Sequence, residues 1–262
     1  MIDPPNTVVE PATILCDLDG VIWLSHQPIA GSVEAVDRFR REGHRVLFVT
    51  NNSSPTIVEH EQALLAIGIA AEGDVVGSAM AAARLMQPGE TALVFGNAGI
   101  DDALRQRGVD VRSSGPVDAV VVGFHRTFNY ESMTRAASAV LAGARLIGTN
   151  DDANYPTPDG LIPGGGAILA AIATASATVP IVAGKPYQPM AELVRSMIGD
   201  DAASKAVMVG DRPDTDGRFA RTLGCRYAHV WSGVTAKGAV VDPHPDLVAE
   251  TLAGIADLIL AG

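Results

Sequence analysis

Two acidic residues, Asp17 and Asp19, lie one residue apart in the segment DLDG, at the end of an apolar run. Alternate residues of an extended chain point to the same side, so the two carboxylates are expected to be neighbours. Two anions at this spacing either share a proton or bind a hard metal ion such as Mg²⁺. The pair therefore predicts metal binding or acid–base chemistry, although Asp-Gly is also a common turn sequence.

Three further polar segments also follow apolar runs. Residues 50–53 (TNNS) offer hydroxyl, amide and backbone N–H groups that can bind a phosphate, although a helix N-cap uses the same residue types. Lys185, in the segment GKP, is either a phosphate-binding cation or a surface charge. Residues 210–216 (GDRPDTD) contain acids that suit either a metal site or the first turn of a helix.

The four segments share one position relative to the predicted strands. Polar groups that follow strands of an open α/β sheet gather at the carboxyl edge of that sheet, where such folds bind ligands. Acids, a hydroxyl group, a lysine and further acids would therefore meet at one place. A single functional cluster explains the four segments better than four unrelated turns and caps.

Short β-branched runs alternate with alanine-rich amphipathic segments, a pattern typical of a parallel sheet covered by helices. Strands of a first sheet are predicted at residues 12–18, 45–50, 181–183, 206–209 and 227–231. Its helices are predicted at residues 32–42, 56–67, 78–86, 188–198 and 215–223. A second set of alternations is predicted at residues 91–95, 99–107, 119–122, 130–141 and 145–148. The predicted fold class is α/β, with residues 155–166 forming an ordered loop.

The charge of the chain limits the partners that it can attract. Its 262 residues include 19 Lys and Arg against 30 Asp and Glu, which gives a formal net charge of -11. Such a charge repels nucleic acid and anionic membranes, and no run of Lys or Arg forms a basic patch. We therefore expect neither partner, and an anionic substrate must be attracted locally by a cation or by N–H groups.

Several features predict a cytoplasmic protein. Residues 1–11 lack the basic start and apolar stretch of a secretion signal, and no apolar run approaches the ~18 residues that span a membrane. Cys16 and Cys225 lie in apolar runs, where we interpret them as small buried hydrophobic residues. This use of cysteine fits a reducing compartment.

In this order and strand context, the four segments resemble those of the haloacid dehalogenase-like (HAD) hydrolase superfamily, over nearly the whole chain. The middle of the chain looks like the large α/β (type 2) cap of the NagD-type branch, which includes phosphatases for nucleotides, phosphoglycolate, pyridoxal phosphate and glycerol phosphate. The resemblance implies a doubly wound, Rossmann-like core (residues 1–87 and 180–262) with an inserted cap (residues 88–179) that sets substrate specificity. It also implies a Mg²⁺-dependent phosphatase.

The family's roles transfer residue by residue. Asp17 would attack phosphorus to form an aspartyl-phosphate, and Asp19 would act as general acid and then general base. Mg²⁺ would be held by a carboxylate oxygen of Asp17, the backbone carbonyl of Asp19 and the carboxylate of Asp211. Asp216 would contact Lys185 and hold it in place, without itself binding the metal. The residues expected to hold the phosphate are Thr50, Asn51, Asn52 and Lys185.

Three positions depart from the family pattern, and a fourth lies in the segment that resembles its specificity loop. Pro213 and Gly217 stand where the family more often has apolar residues, so the start of that helix is expected to be stiffer at one point and looser at the next. His125 stands where many relatives have an acid in the cap, and we interpret it as structural or exposed. Tyr155 lies in the segment that resembles the substrate-specificity loop, where it either contacts the leaving group or packs within its own loop.

The resemblance suggests a small phosphorylated metabolite as substrate. Residues 156–171 are similar to caps of actinobacterial glycerol-phosphate phosphatases, which makes glycerol 3-phosphate the first hypothesis, ahead of phosphoglycolate and nucleoside monophosphates. A phosphotransferase of the same superfamily is an alternative. A receiver-like module that is only phosphorylated is a further one, although such modules have ~120 residues and place the phosphorylated Asp after a later strand. Caps of this type often pair, so a homodimer through the cap stays open.

Overall fold

The computed structural model describes residues 11–157 and 160–261. The prediction that no secretion signal is present rests on residues 1–11, and residues 1–10 of that segment lie outside the described residues. The segment 156–171, compared above with glycerol-phosphate phosphatases, is described except at residues 158 and 159.

Strands of the described residues are numbered in chain order. They are β1 (Thr13–Cys16), β2 (Trp23–Leu24), β3 (Gln27–Pro28), β4 (Arg45–Thr50), β5 (Val75–Gly77), β6 (Thr91–Phe95), β7 (Asp110–Arg112), β8 (Ala119–Val122), β9 (Arg145–Gly148), β10 (Asn154–Thr157), β11 (Gly160–Pro163), β12 (Ile181–Val182), β13 (Val207–Gly210), β14 (Arg226–Val230) and β15 (Leu247–Ala249).

Helices of the same residues are numbered likewise. They are α1 (Ser32–Arg41), α2 (Ile57–Ala66), α3 (Ser78–Arg84), α4 (Ala98–Gln106), α5 (Tyr130–Leu141), α6 (Gly165–Ser176), α7 (Gln188–Ile198), α8 (Asp200–Lys205), α9 (Arg218–Leu223) and α10 (Leu252–Leu260). A π-helical turn, Pro213–Gly217, precedes α9. Within the described ranges, no helix has both the length and the apolar character needed to cross a membrane.

The first sheet is parallel, with strand order β15-β14-β13-β1-β4-β5 among the described residues. Its strands other than β15 are largely buried on both faces, because helices cover both. Leu15 of β1 packs with α3, α7 and α9, whereas its neighbours Ile14 and Cys16 pack with α1 and α10 on the opposite face. Alternation along one central strand thus supplies both halves of the core, and the predicted doubly wound α/β fold is confirmed.

The second sheet, of strand order β12-β9-β8-β6-β7, is also parallel in the described part of the chain. Helices α5 and α6 cover one of its faces, where Val120 and Val122 of β8 are buried. The other face, with Ala119 and Val121, belongs to the same apolar cluster as Leu15 of the first sheet. The two sheets therefore share one continuous hydrophobic layer.

The predicted place of residues 181–183 in the first sheet is wrong. Ile181 and Val182 form β12, which pairs with Ile147 and Gly148 of β9 at an edge of the second sheet. A short apolar run predicts a strand but carries no information about which sheet the strand joins. The correction matters because Lys185 follows directly, and so it approaches the first sheet from the edge of the second.

Residues 155–166 are also more regular than the predicted loop. Strands β10 and β11 form an antiparallel hairpin in which Tyr155 pairs with Ile162, and α6 begins at Gly165. The glycines at the start of α6 are tightly packed, since a Cβ on Gly166 would lie 2.2 Å from the carbonyl oxygen of Asp151.

Candidate active site

Strand β1 delivers Asp17 to the carboxyl edge of the first sheet, between β13 and β4. The backbone N–H of Asp17 donates to Val209 of β13 (3.0 Å), so the strand ladder extends to the acid itself. The Asp17 side chain is buried, and its Oδ1 accepts the backbone N–H of Leu18 at 2.8 Å. One hydrogen bond therefore fixes the Asp17 backbone and another fixes its buried carboxyl group.

Asp19 lies in the tight turn that follows β1. The chain reverses at Gly20, which has a φ of 88°, and the Gly20 N–H donates to the carbonyl of Trp23 at 2.8 Å. The indole N–H of Trp23 then donates to Asp19 Oδ1 at 3.2 Å. Burial raises the pKa of Asp19, and the Trp23 hydrogen bond lowers it in part.

Lys185 places its ammonium group between two carboxylates. Its Nζ lies 2.9 Å from Asp17 Oδ1 and 2.8 Å from Asp216 Oδ1, and the side chain is almost wholly buried. Burial alone would lower the pKa of Lys185, but the carboxylates of Asp17 and Asp216 outweigh it and raise that pKa. The lysine therefore stays charged beside the proposed nucleophile.

Asn51 holds the backbone of Lys185. Its side-chain Oδ1 accepts the Lys185 N–H at 2.8 Å, and its Nδ2 donates to the Lys185 carbonyl at 3.0 Å. The second hydrogen of Nδ2 is donated to Asp152 Oδ2 at 3.0 Å. An amide has two N–H donors, so none is left over for a phosphate.

The rest of the TNNS segment forms a compact turn at the end of β4. Thr50 is buried, and its Oγ1 accepts the backbone N–H of Asn52 at 3.0 Å. Helix α2 begins later, with Thr56 as N-cap and Glu59 completing a capping box. The alternative interpretation of residues 50–53 as a helix N-cap is therefore wrong.

The carboxylate of Asp211 is held by a later segment of the chain. Its Oδ2 accepts the backbone N–H of Val234 at 2.6 Å, whereas Oδ1 is buried and has no hydrogen-bond partner among the described residues. A Cβ on Gly233 would lie 1.9 Å from Asp211 Oδ2, so only glycine lets the backbone approach this closely. Burial and the charge of Asp216 raise the pKa of Asp211 to about 7, although the Val234 N–H lowers it.

Three carboxylates converge here. One oxygen each of Asp17, Asp211 and Asp216 lies within 4.8 Å of the others. Burial raises the pKa of Asp17 as well, and the Lys185 ammonium only partly offsets it. Three buried acids beside one ammonium group, together with an unpartnered Asp211 oxygen, fit the oxygen-rich surroundings of a divalent cation.

The π-helical turn aims Asp216 at Lys185. The carbonyl of Arg212 accepts the N–H groups of Asp216 (2.7 Å) and Gly217 (3.4 Å), and the Arg212 N–H donates back to Asp216 Oδ2 at 3.1 Å. Gly217 was expected to loosen this segment, but it is buried. Its missing side chain allows close packing, since a Cβ there would lie 2.9 Å from the Tyr227 ring.

A cavity of about 430 Å³ opens above these groups, between the two sheets. Eight sequence-predicted site residues line it: Asp17, Asp19, Thr50, Asn51, Asn52, Tyr155, Lys185 and Asp211. Asp216 lies below it, in contact with Lys185. The structure thus brings together the side chains predicted from four distant segments.

Tyr155 projects from β10 into this cavity. Its ring stacks on that of Phe124, with centroids 5.7 Å apart and planes at 23°. Phe124 follows β8, so Tyr155 does not pack merely within its own loop. Burial raises the pKa of Tyr155 to about 12, which keeps its hydroxyl protonated.

His125 does not line the cavity. Its Nδ1 lies 3.2 Å from the hydroxyl of Thr127, and its ring packs edge-on against Phe128. Partial burial lowers the pKa of His125. These contacts are those of a residue that helps to shape the loop after β8.

Sequence reasoning missed some cavity residues, among them Phe124, Asp152 and Arg212. Asp152 carried the same signal as the others, because it stands shortly after the end of β9. Burial raises the pKa of Asp152, and the charge of Arg212 lowers it. Applying the strand-end rule to the second sheet would have identified it.

Two models of known protein families match this chain. The first, described as haloacid dehalogenase-like hydrolase, matches residues 14–110, and a second, HAD-hydrolase-like profile matches residues 182–255. An acid sugar phosphatase of Staphylococcus saprophyticus is 34% identical over 85% of this chain and 87% of its own length. A D-glycerol 3-phosphate phosphatase of Mycobacterium tuberculosis is 37% identical over 88% of this chain, but the match spans 66% of that longer protein.

Solved structures of phosphatases superpose closely on this chain. A p-nitrophenyl phosphatase from Archaeoglobus fulgidus superposes with a TM-score of 0.89 at 30% identity, covering 95% of this chain and 99% of its own. A glycerol phosphate phosphatase from M. tuberculosis, solved in complex with magnesium, gives a TM-score of 0.85 at 31% identity, covering 96% of this chain and 79% of its own.

Proposed function

Because the chain belongs to the haloacid dehalogenase-like hydrolases, in their NagD-type branch, and is a phosphomonoester hydrolase, we propose that it cleaves a small phosphate ester through an aspartyl-phosphate on Asp17. The observation that carries this proposal is the buried Asp17 at the cavity floor, with Lys185 Nζ 2.9 Å from its Oδ1. A buried carboxylate beside a fixed cation suits attack on an anionic phosphorus centre.

The proposed first step transfers the phosphoryl group to the enzyme. Asp17 Oδ1 is held by the N–H of Leu18 and by Lys185, so the other oxygen, Oδ2, attacks phosphorus while the bond to the leaving oxygen breaks. Asp19 gives its carboxyl proton to that oxygen, and the product alcohol leaves. The raised pKa of Asp19 supports a proton-donating role.

The second step releases phosphate. Asp19, now a carboxylate, takes a proton from a water molecule whose oxygen attacks the phosphorus. The bond between phosphorus and Asp17 breaks, which restores the Asp17 carboxylate and the protonated Asp19. Lys185 and the hydroxyl of Thr50 are proposed to hold the phosphate. Asn51 is proposed to contribute its backbone N–H, since its side-chain amide is bound to Lys185 and Asp152. Asn52 is proposed to contribute its side-chain amide, since its backbone N–H donates to Thr50.

We propose Mg²⁺ as the cofactor, held by Asp17, the backbone carbonyl of Asp19 and Asp211, with Asp216 supporting Lys185. The buried, unpartnered Asp211 oxygen and the cluster of three acids support this assignment, as does the magnesium complex of a similar phosphatase. When bound, the ion would neutralise charge on the phosphate oxygens.

Glycerol 3-phosphate is the first proposed substrate. A relative that is 37% identical is named for this ester, and the cavity offers polar groups suited to hydroxyls, among them Asn150, Asn154 and Ser25. Sugar phosphates form the second candidate class, because another relative is named an acid sugar phosphatase. Phosphoglycolate, nucleoside monophosphates and transfer to an alcohol instead of water stay as alternatives for the same test.

We also propose a division of the chain into two domains. Residues 88–179 form the proposed specificity-determining cap and residues 1–87 and 180–262 the core, with β12 grouped structurally with the cap sheet. Homodimerisation through the cap, the cytoplasmic location, and the lack of nucleic-acid or membrane partners stay predictions from the sequence.

The test is phosphate release from a panel of esters: glycerol 3-phosphate, phosphoglycolate, UMP, pyridoxal phosphate and a hexose phosphate. Each is assayed with Mg²⁺, with excess EDTA and with Asp17→Asn. We expect release with Mg²⁺ only, lost in the variant. Turnover that persists in EDTA would overturn the metal assignment, and full activity of Asp17→Asn would overturn the nucleophile. Appearance of phosphate on an added alcohol would favour a phosphotransferase.

A further inference from the structure

The Asn51 amide joins parts of the chain that belong to different sheets. Asn51 follows β4 of the first sheet, whereas Lys185 and Asp152 follow β12 and β9 of the second. The amide forms a pair of hydrogen bonds with the N–H and carbonyl of Lys185, at 2.8 and 3.0 Å. Lys185 therefore depends on a contact between sheets for its backbone position.

This contact works in only one orientation of the amide. If Asn51 were flipped, its N–H groups would face the Lys185 N–H and its oxygen would face the Lys185 carbonyl. Asp152 selects between the two orientations, because an ionised carboxylate accepts hydrogen bonds but donates none. Its Oδ2 lies 3.0 Å from Asn51 Nδ2, where a flipped amide would place an oxygen against it.

The position of the Lys185 backbone matters for its ammonium group. Nζ reaches Asp17 and Asp216 at 2.9 and 2.8 Å through a fully buried side chain. Space around the segment is tight as well, since a Cβ on Gly184 would lie 2.5 Å from Asn51 Oδ1. A small displacement of the backbone would therefore be transmitted to the charge.

We propose that Asp152 is a positioning residue, whose carboxylate fixes the Asn51 amide so that this amide holds Lys185 with its ammonium group beside Asp17. This inference rests on the proposed function of Asp17 and Lys185. Asp152 also lines the cavity, so direct contact with the substrate is the competing role. The two roles differ in one respect: Lys185 acts on the phosphate common to all esters, whereas a substrate contact acts on one leaving group.

The first test compares Asp152→Ala with Asp152→Asn, which keeps an oxygen that can accept from Asn51. Asp102→Ala is the control, because Asp102 accepts a side-chain amide N–H (Gln106, 2.8 Å) on the exposed face of α4. We expect Asp152→Ala to lower kcat/KM for glycerol 3-phosphate and for 4-nitrophenyl phosphate by the same factor, about tenfold or more, because the charge-assisted hydrogen bond that fixes the Asn51 amide is lost. Asp152→Asn and Asp102→Ala should stay within about threefold of wild type.

A second test does not need catalysis. Acetic anhydride labels exposed lysine amines, and mass spectrometry compares the labelling of Lys185 with that of Lys237, whose side chain is 70% exposed. We expect Lys185 to be protected in the wild type and in Asp152→Asn, and labelled at least about threefold more in Asp152→Ala. This readout stands even if the wild type releases no phosphate, so failure of the proposed function is distinguished from failure of this inference.

Three results would overturn the inference. One is a loss confined to a single ester, which would make Asp152 a substrate contact. Another is an Asp152→Asn variant as impaired as Asp152→Ala although both unfold at the wild-type temperature. The third is unchanged protection of Lys185 in Asp152→Ala.

Discussion

Lys185 Nζ lies 2.9 Å from Asp17 Oδ1, although Asp17 ends the central strand of the first sheet and Lys185 follows an edge strand of the second. The site is therefore built across the junction of the two sheets. Neither sheet alone contains both the carboxylate and its cation.

Replacing Lys185 with Met should remove the positive charge between Asp17 and Asp216 and abolish activity. The variant leaves Asp17 and Asp216 buried without their cation, so we expect kcat to fall at least about 100-fold and the free energy of unfolding in EDTA to fall by about 3 kcal/mol. Phosphate release and urea titration measure the two effects. Lys205→Met is the control, because Lys205 forms an exposed ion pair with Asp201. Wild-type activity in Lys185→Met would refute the role of this lysine.

Replacing Trp23 with Phe should impair the general acid selectively. The ring is kept, but the indole N–H that holds Asp19 Oδ1 at 3.2 Å is removed. A poor leaving group needs protonation, whereas 4-nitrophenolate leaves without it. We expect kcat for glycerol 3-phosphate to fall about tenfold and kcat for 4-nitrophenyl phosphate to change less than about threefold. An equal loss for both esters would argue against positioning of Asp19 by Trp23.

Metal-free protein should lose stability as the pH rises from about 4 to about 7. The pKa of Asp211 is raised by burial from 3.8 to about 7. Across that window the folded state binds more protons than the unfolded state, so the free energy of unfolding falls, by at most about 4 kcal/mol. Thermal unfolding in EDTA measures this. Added Mg²⁺ should oppose the loss, increasingly at higher pH, because the ion competes with protons.

Asp211→Asn supplies the comparison for that experiment. The variant removes the titrating group, so we expect a flatter dependence of unfolding temperature on pH and no stabilisation by Mg²⁺. A variant that keeps the wild-type slope would mean that other acids dominate this pH range.

Replacing Tyr155 with Ala should change which ester is preferred. The ring stacks on Phe124 and borders the cavity from β10, so we expect its loss to remove contact with the leaving group and not with the phosphate. We expect KM for the preferred ester to rise about tenfold while inhibition by inorganic phosphate stays unchanged. Tyr155→Phe keeps the stack and separates the ring from its hydroxyl. An unchanged substrate profile in Tyr155→Ala would exclude a role of Tyr155 in substrate specificity.

Much of the site was predictable because one rule, polar groups at the carboxyl ends of parallel strands, is local in sequence. That rule identified Asp17, Thr50, Lys185 and Asp211, and the structure brings all of them to one cavity. The family resemblance added the roles of these residues, which geometry alone does not assign.

The rest of the fold and of the site depends on contacts between segments that are far apart in the sequence. No local pattern states that β12 joins β9, that the Asn51 amide turns toward Lys185, or that Val234 donates to Asp211 from 23 residues downstream. Short edge strands such as β5, β7 and β15 have three residues each, too few to show a period. These features follow from tertiary packing.

The hydrophobic layer shared by the two sheets has a consequence for protein engineering. Leu15 of β1 and Ile147 of β9 lie in one apolar cluster, together with Ala119 and Val121 of β8. Residues 88–179 expressed alone would keep α4 in this cluster but lose the residues that α3 and the first sheet contribute, and would so expose apolar surface to water. A chimaera that borrows the proposed cap from a related enzyme must therefore match the apolar surface that packs against the host, and not only the two junctions with the host.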